Sequence, residues 1–194
     1  MLGQQEADDL IASLVDRWTL RNRGEVAIVT KDKDMMALID RDVKVYQPFA
    51  REWRDARYVR RMLGIDPSQM ADFLALVGDK SDGITGVPGI GNALAKQLLQ
   101  TYPRGVKEIV RAAAVGADES RPMKLVREAI PALELARSLT ELKRDCYLGL
   151  TWSEIRRMPE RVENWTPEHH SVMEGAAERP SQTARESQAR LMGM

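Results

Sequence analysis

The chain has 194 residues, 43% hydrophobic and 30% charged, which suits one well-buried domain, or a domain with a small satellite, and is too short for a multidomain assembly. A lone Cys146 excludes an internal disulfide and a cysteine-based zinc site, no apolar run approaches the roughly 20 residues of a membrane span, and the opening residues lack the basic and apolar regions of a secretion signal. Charge totals 29 basic against 29 acidic, but residues 1–50 hold 9 acids to 7 bases while 51–61 hold five arginines to two acids. The expected protein is cytoplasmic, with no membrane partner.

Leu10, Ile11, Leu14, Val15 and Trp18 recur at helical spacing and predict an amphipathic helix ending near Gly24. Residues 25–30 are a short β-branched run of the kind found in buried parallel strands. The DMMALID stretch suggests a short helix and VKVYQ a second strand, so helix, strand, helix, strand implies an α/β layer. Two strands are too few for a stable parallel sheet, so further strands are expected. From Arg54 onward the pattern is helical, over 54–63, 68–77, 92–101, 106–114 and 122–143, with Pro67 placed at a helix N1 position. Residues 175–194 are polar, small and aperiodic, which predicts a disordered tail.

Acids collect at the ends of these elements. Glu6, Asp8 and Asp9 open the first helix, Asp32 and Asp34 follow the first strand, and Asp79 and Asp82 lie one helical turn apart beside Gly78 and Gly83. Helix-dipole and turn preferences account for any one group. If the fold gathers them, seven carboxylates in one cleft stay ionised only when cations neutralise them. Hard oxygen donors select Mg²⁺ or Mn²⁺, and the crevice beyond the ends of parallel strands is where sites form in open α/β folds. His169 and His170 lie near the tail, so an imidazole site is not expected. The residues alone imply a carboxylate site for one or two divalent cations, suited to phosphoryl chemistry.

The stretch ITGVPGIGNALAKQLL sets Gly89 and Gly91 around Ile90 in a tight turn that opens the next helix at Asn92, with apolar positions at Val87, Leu94 and Leu98. This is a helix-hairpin-helix pattern. Backbone N–H groups at such a turn hold a DNA phosphate without reading bases.

Three motifs stand in one order: EADD at Glu6–Asp9, VTKDKD at Val29–Asp34, and FLALVGDKSDGITGVPGIG at Phe73–Gly91. In these the chain resembles the 5′-to-3′ exonuclease and flap endonuclease family, including the 5′ nuclease domain of bacterial DNA polymerase I and phage relatives, over about residues 3–150. The resemblance implies an α/β, PIN-like fold, here with a partial parallel sheet, and a helix-hairpin-helix (H3TH) helical subdomain. It implies hydrolysis of branched, flapped or nicked duplex DNA, independent of sequence, in replication and repair, by a bacterial or phage-encoded enzyme. It further implies that Glu6, Asp8, Asp9, Asp32, Asp34, Asp79 and Asp82 hold two Mg²⁺ or Mn²⁺ ions, with Asp32, Asp34, Asp79 and Asp82 central to catalysis. One ion would lower the pKa of the attacking water and the other would stabilise the leaving oxyanion. Val87, Gly89, Ile90, Gly91, Asn92 and Lys96 would hold the uncleaved duplex, with K⁺ on main-chain carbonyls of the turn.

Gly83, Thr85, Lys31 and Ala93 depart from the family's usual residues, and Lys96 stands one turn after the position where a phosphate-facing lysine is common. Family members carry a further segment ahead of the EADD motif that supplies more strands and acids, so a separate N-terminal nuclease fragment is an expected partner. The expected division is a metal-binding core over 1–82, the helix-hairpin-helix subdomain over 83–150, an extension over 151–174 and the tail. Two alternatives remain at this level. One is a non-catalytic DNA-binding module using the turn and an arginine stripe of Arg51, Arg54, Arg57, Arg60 and Arg61. The other is another metal phosphoesterase, which leaves the turn unused. Trp18 is expected to pack in the core; Trp53, Trp152 and Trp165 are open between packing and base stacking.

Overall fold

The apolar stripe on the opening segment produces helix α1 (Ala7–Thr19), in which Ala12 and Val15 are buried. In the computed structural model, which describes residues 6–21, 24–116, 118–149 and 151, it is followed by β1 (Val26–Val29), a 3-10 turn over Asp34–Leu38, and β2 (Val43–Gln47). β1 and β2 run parallel, with Val26 opposite Val43 and Val29 opposite Tyr46. A third strand that the residue pattern did not suggest, β3 (Glu52–Arg54), joins β2 antiparallel, with Tyr46 opposite Trp53. The sheet is therefore mixed, in the order β1-β2-β3. Tyr46 and Trp53 bring their ring centroids to 5.0 Å, a cross-strand aromatic pair that favours strand geometry even in a charged tripeptide. β2, the middle strand, is buried at Val43, Val45 and Tyr46. β1 is not a buried strand among the described residues: Ile28 is buried, while Ala27 and Val29 are exposed.

The helices come next: α2 (Ala56–Met62), a 3-10 turn over Pro67–Gln69, and α3 (Met70–Val77). They are followed by the two-residue strands β4 (Gly78–Asp79) and β5 (Ile84–Thr85), then α4 (Asn92–Thr101), α5 (Val106–Ala114), α6 (Arg121–Glu128) and α7 (Ile130–Thr140). α2 starts at Ala56 and not at Arg54, because Asp55 caps it by accepting the Tyr58 N–H at 2.8 Å. Asp66 and Gln69 form a capping box around Pro67. The single helix expected over 122–143 is two helices, since Pro131 falls in the first turn of α7 and a continuous helix would bury its ring in a helix interior. Trp18 is only half-buried, and its Nε1 donates to the Gly24 carbonyl at 3.1 Å. Trp152, Trp165, the 151–174 extension beyond its first residue and the tail lie outside the described residues.

The chain divides into two bodies. Of the described residues, the sheet body takes those within 6–35, 42–54 and 143–151, and the helical body those within 36–41 and 55–142. In the helical body α3 packs on α4 and α7, and α5 on α6. Its largest wholly buried side chains include Met70, Leu76, Leu99, Ile109, Met123 and Leu133, each contributing about 1.5–3 kcal/mol on burial. Arg137 on α7 donates to Asp72 on α3, and the Thr140 hydroxyl donates to the Ala71 carbonyl at 2.8 Å. In the sheet body residues 143–146 lie along α1.

Candidate functional site

In the helical body, α3 ends where two glycines meet. A Cβ on Gly86 would fall 2.3 Å from the Gly78 nitrogen and the Val77 carbonyl carbon, and a Cβ on Gly78, which has φ +88°, would fall 2.6 Å from the Gly86 nitrogen. Backbone touches backbone there, so the seven residues 79–85 leave and return through one point. Asp79 and Asp82 stand on that loop. Asp79 is 2% exposed and its Oδ1 accepts the Ser81 N–H at 3.0 Å together with the Ser81 hydroxyl. Asp82 is exposed, and a carboxylate oxygen of each lies within 4.8 Å of the other. The pair offers hard oxygen donors at a spacing that one divalent cation would bridge after modest side-chain rotation.

The glycine turn follows directly. Val87 and Ile90 are 3% and 4% exposed, so these two side chains anchor the turn in the core, while Gly89 and Gly91 are exposed. No side chain caps α4 at Gly91, so the positive end of its dipole is carried by main-chain N–H groups. Asn92 is half-buried at the first helical position. The Lys96 side chain crosses Gly64 so closely that a Cβ there would fall 2.2 Å from its Cε. That contact sets its methylene chain at the C-terminal end of α2.

In the sheet body, Glu6 is the N-cap residue of α1 and is exposed, Asp8 is half-buried and Asp9 is 5% exposed. Asp9 Oδ1 accepts the main-chain N–H of Lys143 at 2.8 Å, and its Oδ2 lies 3.4 Å from the Lys143 ammonium. One turn on, the buried Ser13 hydroxyl accepts the Cys146 N–H at 2.9 Å and lies 3.4 Å from the Lys143 carbonyl. Arg17 then donates to the Cys146 carbonyl at 2.9 Å, and Arg144 pairs with Asp16 at 2.8 Å. No motif pointed to this arrangement; the available signal was a polar row of Asp9, Ser13 and Arg17 at spacing four along an amphipathic helix. Asp32 and Asp34 follow β1 in a chain of turns: the Asp32 N–H donates to the Thr30 hydroxyl at 3.0 Å and the Asp34 N–H to Asp32 Oδ1 at 2.9 Å. Both are half-buried.

The arginines do not form one stripe. Arg51 and Arg54 belong to the sheet body, where Arg54 is buried in β3, and Arg57, Arg60 and Arg61 to α2 of the helical body. Arg60 pairs with Asp66 at 2.6 Å and Arg61 lies 5.8 Å from the Tyr58 ring centroid. Burial raises the Asp66 pKa, but the bonds from Arg60 and from the Ser68 N–H and hydroxyl outweigh it and hold the carboxyl below its ordinary range.

Residues 65–163 match the 5′-3′ exonuclease C-terminal SAM fold, and residues 1–65 the 5′-3′ exonuclease N-terminal resolvase-like domain. The flap endonuclease Xni of Tolumonas auensis is 34% identical over 154 residues, and that of Aeromonas salmonicida 37%. Each alignment covers 79% of this chain and 57% of the relative, so the chain spans a little over half the length of these proteins. A bacteriophage T5 flap endonuclease, solved as a pseudo-enzyme-product complex with DNA and metal ions, is similar at a TM-score of 0.62 with 16% identity, over 88% of this chain and 60% of that one. At that identity the likeness is one of fold.

Proposed function

Because the chain belongs to the 5′-3′ exonuclease family, we propose that it acts as a structure-specific 5′ nuclease that hydrolyses phosphodiesters of flapped, branched or nicked duplex DNA. The observation that carries this reading is the Asp79–Asp82 pair, one carboxylate buried and held by Ser81, the other exposed within 4.8 Å of it. All-oxygen donors suit Mg²⁺ or Mn²⁺. A divalent ion bound by these acids supplies Lewis acidity for the attacking water and the leaving oxygen. Asp32 and Asp34, in the turns after β1, Glu6, at the N-cap of α1, and Asp8, in its first turn, are the further acids assigned to cations.

Sequence independence follows from the turn. The N–H groups around Gly89, Gly91 and Asn92 offer a phosphate the positive end of α4 without presenting a base-reading side chain, and main-chain carbonyls of the same turn would take K⁺. In this reading residues 1–82 carry the cation chemistry and 83–150 grip the duplex, in the cytoplasm, during replication and repair.

The test is cleavage of a 5′-labelled flap duplex in Mn²⁺ by the wild type, Asp79→Ala and Asp32→Ala. It is run with and without a polypeptide matching the portion of the relatives that this chain does not span. Loss of cleavage in both variants is the expected result. Equal activity in all three removes the proposed site, and retention of duplex without cleavage in either arm assigns the chain to non-catalytic DNA binding.

A further inference from the structure

Asp9 sits in the same motif as Glu6 and Asp8, yet its surroundings differ from theirs. It is 5% exposed, whereas Glu6 is exposed and Asp8 half-buried. Both Asp9 oxygens face a single residue, Lys143, which lies 134 positions away and approaches with its main-chain N–H at 2.8 Å and its ammonium at 3.4 Å. Its role repeats along α1. Ser13, 0% exposed, takes the Cys146 N–H at 2.9 Å with its hydroxyl, and Arg17 donates to the Cys146 carbonyl at 2.9 Å. Three residues at successive turns of one helix face thus bind the main chain of one short segment.

We infer that Asp9 is not a cation ligand in this chain but the first anchor of a strap, residues 143–146, whose main chain is tied along α1 by Asp9, Ser13 and Arg17. The strap fixes the first turn of α1, and with it Glu6 and Asp8, so Asp9 is a positioning residue for the acids assigned above; this part rests on the proposed cation site. Asp9 is 5% exposed and its Oδ1 already holds the Lys143 N–H at 2.8 Å, so a cation that reached this carboxylate would meet it behind the strap, whereas Glu6 stands exposed. The Lys143 side chain is itself 71% exposed, so its ion pair adds little to the anchor. The main-chain bond carries it, and the amide oxygen of an asparagine can accept that bond too.

The experiment uses the full chain with two readouts: Mn²⁺ binding followed by the loss of the free-ion electron paramagnetic resonance signal, and limited trypsin cleavage after Lys143 and Arg144. The variants are Asp9→Asn, Asp9→Ala and Ser13→Ala. The strap requires that Asp9→Asn bind Mn²⁺ within about twofold of the wild type and resist trypsin as the wild type does. Asp9→Ala and Ser13→Ala are then cut faster and bind Mn²⁺ more weakly, although Ser13 has no carboxylate to lose. A drop of about tenfold or more in Mn²⁺ affinity for Asp9→Asn, with the trypsin sites still protected, makes Asp9 a ligand and overturns the inference. Ser13→Ala that is cut no faster than the wild type overturns the strap, and Ser13→Ala that is opened yet binds Mn²⁺ normally overturns the positioning role. Wild type that binds no Mn²⁺, alone or with the polypeptide matching the unspanned portion of the relatives, sinks the nuclease reading instead, and the trypsin comparison then decides the strap alone.

Discussion

In the helical body Leu76, Leu99, Ile109, Met123, Val126 and Leu133 are each 1% exposed or less, whereas the sheet body leaves Val29 60% and Phe49 80% exposed and buries Asp9, Ser13 and Arg54. The first is held mainly by apolar packing, with one ion pair of low exposure, Arg137–Asp72, between α3 and α7. The second has a three-stranded sheet and a helix whose polar face is met by a segment from the far end of the described chain. Apolar burial is non-directional and tolerates small shifts, while hydrogen-bonded main chain sets position sharply. The helical body therefore carries the Asp79–Asp82 pair and the duplex-holding turn on an apolar core, while the sheet body carries Glu6, Asp8, Asp32 and Asp34.

That contrast is breakable. Arg137→Ala is expected to have the largest effect on stability, about 3–5 kcal/mol in urea unfolding, because it strands the Asp72 carboxylate beneath α7; a cost under about 1 kcal/mol would mean that the ion pair is dispensable. Ser13→Ala, in the sheet body, should cost about 1–3 kcal/mol through the buried Cys146 N–H that loses its acceptor, read as a lowered melting temperature. Asp66→Asn sharpens the comparison at the edge of α2. The Asp66 carboxyl titrates below its ordinary value of 3.8 in the folded chain, so its contribution is present above that value and lost as pH falls through the lower folded one. The variant should therefore be slightly less stable than the wild type at pH 6, with the gap narrowing as pH falls below 3.8, measured by thermal unfolding across that range. Phe49→Ser should do least, within about 0.5 kcal/mol, since its ring already lies in solvent; a larger loss would show that the sheet body relies on that ring.

The helices were legible where periodicity and punctuation agreed. The spans of α4 and α5 coincide with those predicted, because Gly91 and Gly105 mark their starts and apolar residues recur at helical spacing within them. β3 was hidden because Glu52-Trp53-Arg54 is short and charged, and its strand character comes from pairing with β2. The arginine stripe dissolved for the same reason: Arg54 points inward from a strand and Arg60 answers Asp66, facts of tertiary position. The acids at Asp79 and Asp82 could be picked out because two aspartates beside glycines form a recognisable string. The strap could not, since its bonds run to main-chain atoms of residues 143–146, which carry no side-chain signature, and the acid that anchors it sits inside a motif that suggests another use.

The contact between Gly78 and Gly86 has a consequence for how this chain can vary. Because α3 and the turn before α4 are joined there backbone to backbone, the loop between them is closed at its base, and its length is uncoupled from the helices on either side. Residues inserted at its tip, around Ser81 to Gly83, would leave the packing of α3 and α4 unchanged while moving Asp82 away from Asp79. Drift in loop length would therefore cost chemistry before it cost folding, and a survey of tolerated insertions would show selection on the spacing of two carboxylates in a place where stability alone imposes none.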